Sequence, residues 1–340
     1  MLAITRFLED IDDPRLDRTK KHTLLDILVL TVCAVCCGAD GWEDVARFGR
    51  LKKDWLQTFL ELKEGIPSAD TIRRVFEAID AEQFEHAFLE WMKAVHNVAG
   101  GDVVAIDGKT LRGSLASGSG LAALHLVHAW SARSGVLLGQ VATDAKSNEI
   151  TAVPALLDLL DLHGALVSGD AMNGQKKIVT AICAKQADDV ITVKENQKQL
   201  YDQIVGAFEA RAGRREVFST HLPSETGHGR REHRKALAMA VPEWLDSKEE
   251  WTNLRTIVCV TSTRTAEGIT TEDTRYFVTS LPAEQIERIA LGIRQHWTIE
   301  NGLHWILDVT FGEDASRIRT GMGAQNFAIV RRMALNLFKQ

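Results

Sequence analysis

No apolar run in the chain approaches the roughly 18 residues that a membrane-spanning helix needs. The most apolar early stretch, Leu24 to Cys37, is interrupted by Asp26 and has no cleavage signature. The first residues, MLAITRFLEDIDDPR, are acidic where a signal peptide is basic. These absences imply a cytoplasmic protein with no membrane partner. Cysteine is scarce: Cys33, Cys36, Cys37, Cys183 and Cys259. Three of them form CAVCC, but a structural zinc site needs a second ligand pair at matching spacing, and none follows. They read instead as buried core thiols, and an odd count in a cytoplasmic chain argues against disulfides. Internal repeats and low-complexity tracts are also missing. So is an excess of positive charge: 40 Lys and Arg stand against 46 Asp and Glu, a net charge of −6. Nucleic-acid-binding proteins are usually basic. Any phosphate-binding surface here must therefore be local. The candidate clusters are Arg211–Arg215, His228–Lys235 and Arg317–Arg332.

What is present is an ordinary globular composition, 45% apolar and 25% charged, in 340 residues, enough for two or three domains. Residues 1–97 read as a helical domain. Helices are predicted over Thr23–Cys37, Gly41–Arg50, Asp54–Leu62, Ala69–Ala78 behind a Ser68 cap, and Ala81–Val95 after Asp80. With Lys52, Lys53, Arg73 and Arg74 outward, this unit reads as a DNA-end-binding domain or, equally simply, a helical packing module.

NVAGGD (97–102) is a turn, after which the pattern changes. Val103–Ile106 is a short strand. Leu124–Ala132 and Gly135–Thr143 form a hairpin, and Glu149–Leu160 is a helix capped at Asn148. Ala165–Val167 is a strand, Gln175–Lys185 a helix, Val190–Val193 a strand and Gln199–Ala210 a helix. Three meandering strands, then strands alternating with helices, is the order of an RNase H-like mixed sheet with flanking helices. Residues 211–280 read as a β-rich insertion, with strands at Lys235–Val241, Leu254–Ser262 and Arg275–Thr279 separated by polar segments such as TRTAEGITTED. Ala283 to about Phe311 reads as one long helix, and Gly323–Phe338 as the last. Residues 102–210 and 281–340 then make up the catalytic domain.

Three carboxylates stand out. Asp107 closes the strand in VVAIDGKTLRGS, where a carboxylate is costly unless solvated, paired or bound to a metal; a turn aspartate bonded to its own backbone is the plainer account. Asp170 in ALVSGDAMNGQ repeats the device. The first and fourth strands of such a sheet are neighbours, so the two aspartates should lie side by side. Their mutual repulsion is one that a divalent cation relieves. Glu300 lies in RQHWTIENGLHWILDVTFGED. At 3.6 residues per turn, His296, Glu300 and His304 share a stripe, with Arg294 on a neighbouring face. Trp297, Ile299, Leu303 and Ile306 can face the core.

VVAIDGKTLRGS, KSNEITAVPALLDLL, SGDAMNGQKKI, ITVKENQKQL and HWTIENGLHWILDVTFGEDASRIRTGMGAQNFAIVRRMALNL together resemble DDE-class insertion-sequence transposases, in the group containing the H-repeat-associated proteins. The similarity runs along nearly the whole chain and includes GIPSADTIRRVF near the N-terminus. The resemblance implies that Asp107, Asp170 and Glu300 are the metal ligands, with the β insertion between the second and third. It implies two Mg²⁺ ions, or Mn²⁺ in their place, roughly 3.5–4 Å apart. Asp107 would bridge them, with Asp170 on one and Glu300 on the other. Water attack would nick double-stranded DNA at the element's end, and the freed 3′-hydroxyl would attack target DNA. Lys109, Arg112, Lys194 and Asn196, with Arg294, His296 and His304, are candidates for gripping DNA near the cut. A homodimer pairing two ends on the nucleoid is the corresponding assembly.

The chain departs from the Tyr-x2-Arg-x3-Glu-x6-Lys pattern of related transposases. Its corresponding positions are Ile293, His296, Glu300 and Leu307, so only the glutamate is kept, and Arg294 or His296 is the substitute for the arginine. No basic tail follows ALNLFKQ, which points to a shortened, catalytically inactive DNA-binding derivative as the alternative. Two other readings are a hydrolytic nuclease on the same fold and a zinc hydrolase using His296, Glu300 and His304.

Overall fold

Among the described residues, six α-helices open the chain: α1 (Thr5–Leu8), α2 (Leu24–Cys36), α3 (Trp42–Leu51), α4 (Lys53–Leu56), α5 (Ala69–Ala78) and α6 (Ala81–Val95). The computed structural model describes residues 4–98, 100–114, 123–143, 149–210, 217–227 and 229–340. Ser68 and Asp80 stand ahead of their helices as the sequence suggests, and Thr23, expected as the first residue of α2, is its cap; they accept from the backbone N–H groups of Thr71, of Glu82 and Gln83, and of Asp26 respectively. Asp26 is buried in α2 and accepts the N–H groups of Glu61 and Leu62 at 3.1 and 3.0 Å. The helix expected over 54–62 stops at Leu56, the chain turns through 57–60, and Asp26 then holds Glu61 and Leu62, the latter at a positive φ of 41°.

Nine strands among the described residues follow in one sheet: β1 (Val103–Thr110), β2 (His125–Ser131), β3 (Val136–Ala142), β4 (Leu166–Gly169), β5 (Asp188–Val193), β6 (Phe218–Gly227), β7 (Arg230–Ala240), β8 (Thr256–Ala266) and β9 (Ile269–Thr279). Helices α7 (Glu149–Asp158), α8 (Lys176–Ala184) and α9 (Lys198–Glu209) connect the middle strands. The sheet order is β3-β2-β1-β4-β5-β9-β8-β7-β6. Pairing is parallel between β1 and β4 and between β4 and β5, and antiparallel elsewhere. The β3-β2-β1-β4-β5 half is an RNase H-like sheet, as expected. β9 pairs with β5, so β6–β9 extend that sheet.

The differences have physical causes. β1 runs on to Thr110, paired with β2, so Asp107 lies inside a strand rather than at its end. β6 is a strand the sequence did not suggest. TRTAEGITTED is not a polar loop but the β8–β9 hairpin, turned by Glu267 and Gly268 at φ 51° and 78°. Both faces of that ribbon meet water, so the alternation that marks a half-buried strand never appears. Cys37 is exposed and Cys33, Cys36 and Cys183 are half-buried, so of the five thiols expected in the core only Cys259 is fully buried, and none forms a disulfide. Arg331 and Arg332 are buried, so 317–332 is not a surface patch. Arg211–Arg215, Asn148 and His228 lie outside the described residues. Among the described residues, no helix is long and apolar enough to cross a membrane.

The long helix expected after residue 283 is divided into α10 (Ile286–His296), a π-helical turn over Glu300–His304, and α11 (Trp305–Val309). Such π turns recur at functional sites. Ile299 and Leu303 face the core as expected, but Trp297 is 45% exposed. α12 (Gly323–Lys339) closes the chain and packs on α2, α5, α6 and β3. One apolar core contains Leu28, Phe76, Phe84, Val104, Trp130 and Phe327, so the opening helices share it with the sheet.

The π turn is seated by close approach. A Cβ on Gly302 would lie 2.5 Å from the buried ring of Trp130, whose Nε1–H donates to Thr298 Oγ1 at 3.2 Å. Gly302→Ala is therefore expected to cost about 1–3 kcal/mol, as overpacking typically does. Urea denaturation reads this, and an unchanged midpoint would show that the turn has room to shift.

Candidate metal centre

The parallel β1–β4 ladder ends with the pair Ile106 and Gly169. The next residue on each strand is acidic, Asp107 on one and Asp170 on the other. Asp107 Oδ1 accepts its neighbour Gly108's N–H at 2.9 Å. Asp170 Oδ1 accepts the backbone and side-chain N–H groups of Asn173 at 3.0 and 3.1 Å. Glu300 opens the π turn and reaches the same place from the helix. All three carboxylates line one cavity of about 230 Å³, together with Ser168, Lys194 and His296.

His304 sits among them. Its Nδ1 is 3.6 Å from Asp107 Oδ2 and 3.7 Å from Glu300 Oε2. Ligand atoms of Asp107, Glu300 and His304 lie within 4.8 Å of one another. Burial, above all, pushes the Asp107 carboxyl up to about 7, and the negative charges of Glu300 and Asp170 add to that. Glu300, whose side chain is 56% exposed, is held below its usual value by its hydrogen bond with His304. The donor set is dominated by hard carboxylate oxygens whose charges repel, which suits a divalent cation such as Mg²⁺. His296 is kept low by burial, and its Nδ1 is 3.1 Å from Ser168 Oγ. Of the stripe, His296 and Glu300 line the cavity, and His304 lies against Asp107 and Glu300.

A second group of contacts braces the aspartates. Glu149, at the start of α7, lies so close to Gly108 that a Cβ there would be 2.0 Å from its Oε1. That oxygen also lies 2.8 Å from His125 Nε2, and Glu149 Oε2 lies 3.4 Å from Asn173 Nδ2. Gly108 thus leaves room for Glu149 to approach the backbone.

Several residues expected to grip DNA have intramolecular partners instead. Lys109 is 8% exposed, with Nζ 2.7 Å from Asp308 and 3.5 Å from Asp314. Asn196 Nδ2 donates to the carbonyl of Ala171 at 2.7 Å, holding the turn after Asp170. Arg294 is paired with Glu225 at 2.5 Å, and in α5 Arg73 and Arg74 are paired with Asp70. Lys194 is exposed on the cavity wall, and Arg112 is 85% exposed with Nε 3.6 Å from Asp314. Ile293 and Leu307, at the pattern positions of the tyrosine and lysine, are buried in the core.

Sequence reasoning missed His128, Glu313 and, as an interior group, Arg332. His128 is the β2 residue opposite Asp107, and Arg332 contacts its ring. The signals were the second histidine of HLVHAW, set between apolar residues, and two arginines within NFAIVRRMALNL.

The family model described as "Transposase DDE domain" matches residues 99–337. The chain belongs to the DDE transposase family. A second model, "DDE_Tnp_1-associated", matches residues 5–92 of this transposase-family chain. It is 42% identical over 344 residues to "Putative transposase YncI" of Escherichia coli O157:H7, covering 99% of this chain and 87% of that one. It is 38% identical to "H repeat-associated putative transposase YhhI" of Escherichia coli K12, covering 96% and 88%. A shorter match, 52% over 54 residues, covers 16% of this chain and 64% of "Inactive transposase YbfQ" of the same strain. Among solved structures, a piggyBac transposase synaptic complex with hairpin DNA aligns over 98% of this chain and 74% of its own, at 9% identity and a TM-score of 0.42. That likeness is too loose to bear on the site of this DDE-family protein.

Proposed function

We propose that this DDE-family chain cuts double-stranded DNA at the ends of an insertion sequence and joins the freed ends to target DNA. Asp107, Asp170 and Glu300 hold the divalent ions, two Mg²⁺ or Mn²⁺ in their place. The observation that carries the reading is the meeting of these three side chains, from β1, from the end of β4 and from the π turn, in one cavity. When bound, the ions supply charge neutralisation at the phosphate and lower the proton affinity of an attacking hydroxyl.

The protein's own groups do the rest. Gly108 and Asn173 fix one oxygen of each aspartate by N–H donation, and the second oxygen of Asp107 faces His304. Glu300 is exposed enough to accept a ligand without rearrangement of the core. Lys194 stands on the cavity wall as a cation for a DNA phosphate. His296, uncharged and fixed by Ser168, presents its ring to the same space. A homodimer holding two element ends belongs to this reading, as does action on DNA in the nucleoid.

The test is incubation with DNA carrying the element's own ends, with Mg²⁺ or Mn²⁺. The wild type is expected to give nicked and joined products, and a chelator to abolish both. Asp170→Ala removes several kcal/mol of transition-state stabilisation, about a thousandfold or more in rate. Equal cleavage by the variant ends the proposal. Cleavage without joined products would leave a hydrolytic nuclease. DNA binding without cleavage would leave a catalytically inactive derivative.

A further inference from the structure

Four buried side chains from four separate elements form a line that ends at the carboxylates. They are Glu313, after α11; Arg332, on α12; His128, on β2; and His304, in the π turn. The His128 and Arg332 side chains are fully buried, Glu313 is 1% exposed and His304 7%. Arg332 donates from Nη1 and Nη2 to the two oxygens of Glu313, with Nη2–Oε2 at 3.0 Å. Its other face meets His128, Nη2 at 3.2 Å and Nε at 3.4 Å from Nε2. His128 Nδ1 in turn is 3.4 Å from His304 Nε2.

The chemistry of these groups fixes where the hydrogens are. A guanidinium can only donate. His128 Nε2 therefore accepts and carries no proton. Burial, reinforced by the charge of Arg332, holds His128 well below its usual value, so the ring is neutral. A neutral imidazole with a bare Nε2 has its proton on Nδ1. That proton points at His304 Nε2, which must accept. His304 is left with its own proton on Nδ1, the nitrogen that faces Asp107 and Glu300.

We infer that His304 is a positioning residue that directs an N–H at the Asp107 and Glu300 carboxylates and is not itself a metal ligand, because Arg332, acting through His128, dictates its tautomer. By distance alone His304 could be a third ligand with Asp107 and Glu300. A ligating nitrogen needs its lone pair, however, and the one facing the carboxylates is occupied by a proton. The N–H instead steadies one oxygen of each carboxylate, as outer groups commonly steady metal ligands. The assignment of Asp107 and Glu300 as ligands rests on the function proposed above; the tautomer does not.

Two measurements on the full-length chain separate these. First, the protein is labelled with ¹⁵N-histidine and ring nitrogens are read by NMR, His304 being identified by the signals lost in His304→Asn. A protonated Nδ1 and bare Nε2, unchanged when Mg²⁺ is added, is the expected result. The opposite tautomer, or loss of the Nδ1 proton on adding Mg²⁺, overturns the inference. Second, Mn²⁺ bound to the protein is examined by pulsed electron paramagnetic resonance. No directly bound histidine nitrogen is expected; a nitrogen coupling that vanishes in His304→Asn overturns the inference and leaves the carboxylate site standing. Mn²⁺ binding that is identical in wild type and Asp107→Ala would instead remove the metal reading, with the tautomer still decided by the first measurement. His128→Phe deletes the directing donor. It is expected to release His304 from a single tautomer and weaken Mn²⁺ binding roughly tenfold to a hundredfold. In His304→Asn the side-chain N–H replaces Nδ1–H and most of the affinity is retained. A His128→Phe protein with the His304 tautomer unchanged overturns the role given to Arg332 and His128.

Discussion

Asp107→Asn is expected to leave a protein without DNA cleavage that is nevertheless more stable than the wild type in chelator at pH 8. The carboxyl is pushed up to about 7 from an ordinary 3.8, first by burial. A group whose folded-state proton affinity is raised binds protons more readily folded than unfolded. Its ionisation therefore opposes folding: stability falls as pH rises between about 3.8 and about 7, and the full penalty applies above that window. The gap corresponds to an upper bound on the order of 4 kcal/mol. Asparagine keeps an oxygen for the N–H of Gly108 and removes the charge. Thermal melts in chelator should show a larger gain for the variant at pH 8 than at pH 5. Added Mg²⁺ should raise the wild-type melting temperature and leave the variant unmoved, since only the wild type binds it. A variant that melts below the wild type at pH 8, or that gains equally from Mg²⁺, would contradict both the cost and its purpose.

The second large effect is on folding. Glu313 and Arg332 face each other with both side chains wholly buried. Deleting one partner leaves an uncompensated charge in the interior, which typically costs about 3–5 kcal/mol. Glu313→Leu carries a further burden, because Arg331, also buried, has its nearest acid in the same carboxylate at 3.9 Å. The double variant Glu313→Leu with Arg332→Leu is expected to recover much of the loss, since replacing a buried pair with apolar groups is often close to neutral. Urea denaturation of the four proteins in a double-mutant cycle measures this. Simple additivity of the two single losses would show that the pair is not coupled.

The fold was legible wherever one face of an element is dry. α5 and α6 could be placed to the residue because Ser68 and Asp80 cap them and their apolar residues recur at helical spacing. The order of β1–β5 with α7–α9 followed from short apolar runs separated by helical stretches. The β6–β9 ribbon was not legible in its polar half. Thr263–Asp273 is wet on both faces, so its threonines gave strand propensity but no alternation. For the site, Asp107 and Asp170 stood out as acids following apolar runs, and Glu300 as an acid between indoles. Their charged neighbours were harder. A lysine after a strand looks the same in sequence whether it faces a phosphate or, like Lys109, an aspartate 199 residues away. His128 and Arg332 lie in apolar surroundings that make them look like core. They are core, and what makes them matter is a partner no local pattern can name.

The chain is made in one direction, and α12 comes last. Asn326 on this helix donates to the carbonyls of Phe76 and Ile79, and Asn336 both donates to and accepts from Leu137. Arg332 leaves the ribosome more than two hundred residues after the aspartate whose neighbourhood it helps set. Until then the first helices have an open seam, and the cavity lacks the cation that orders its histidines. A chain cut short before α12 would therefore lack both the helix that closes this seam and the guanidinium that holds His128.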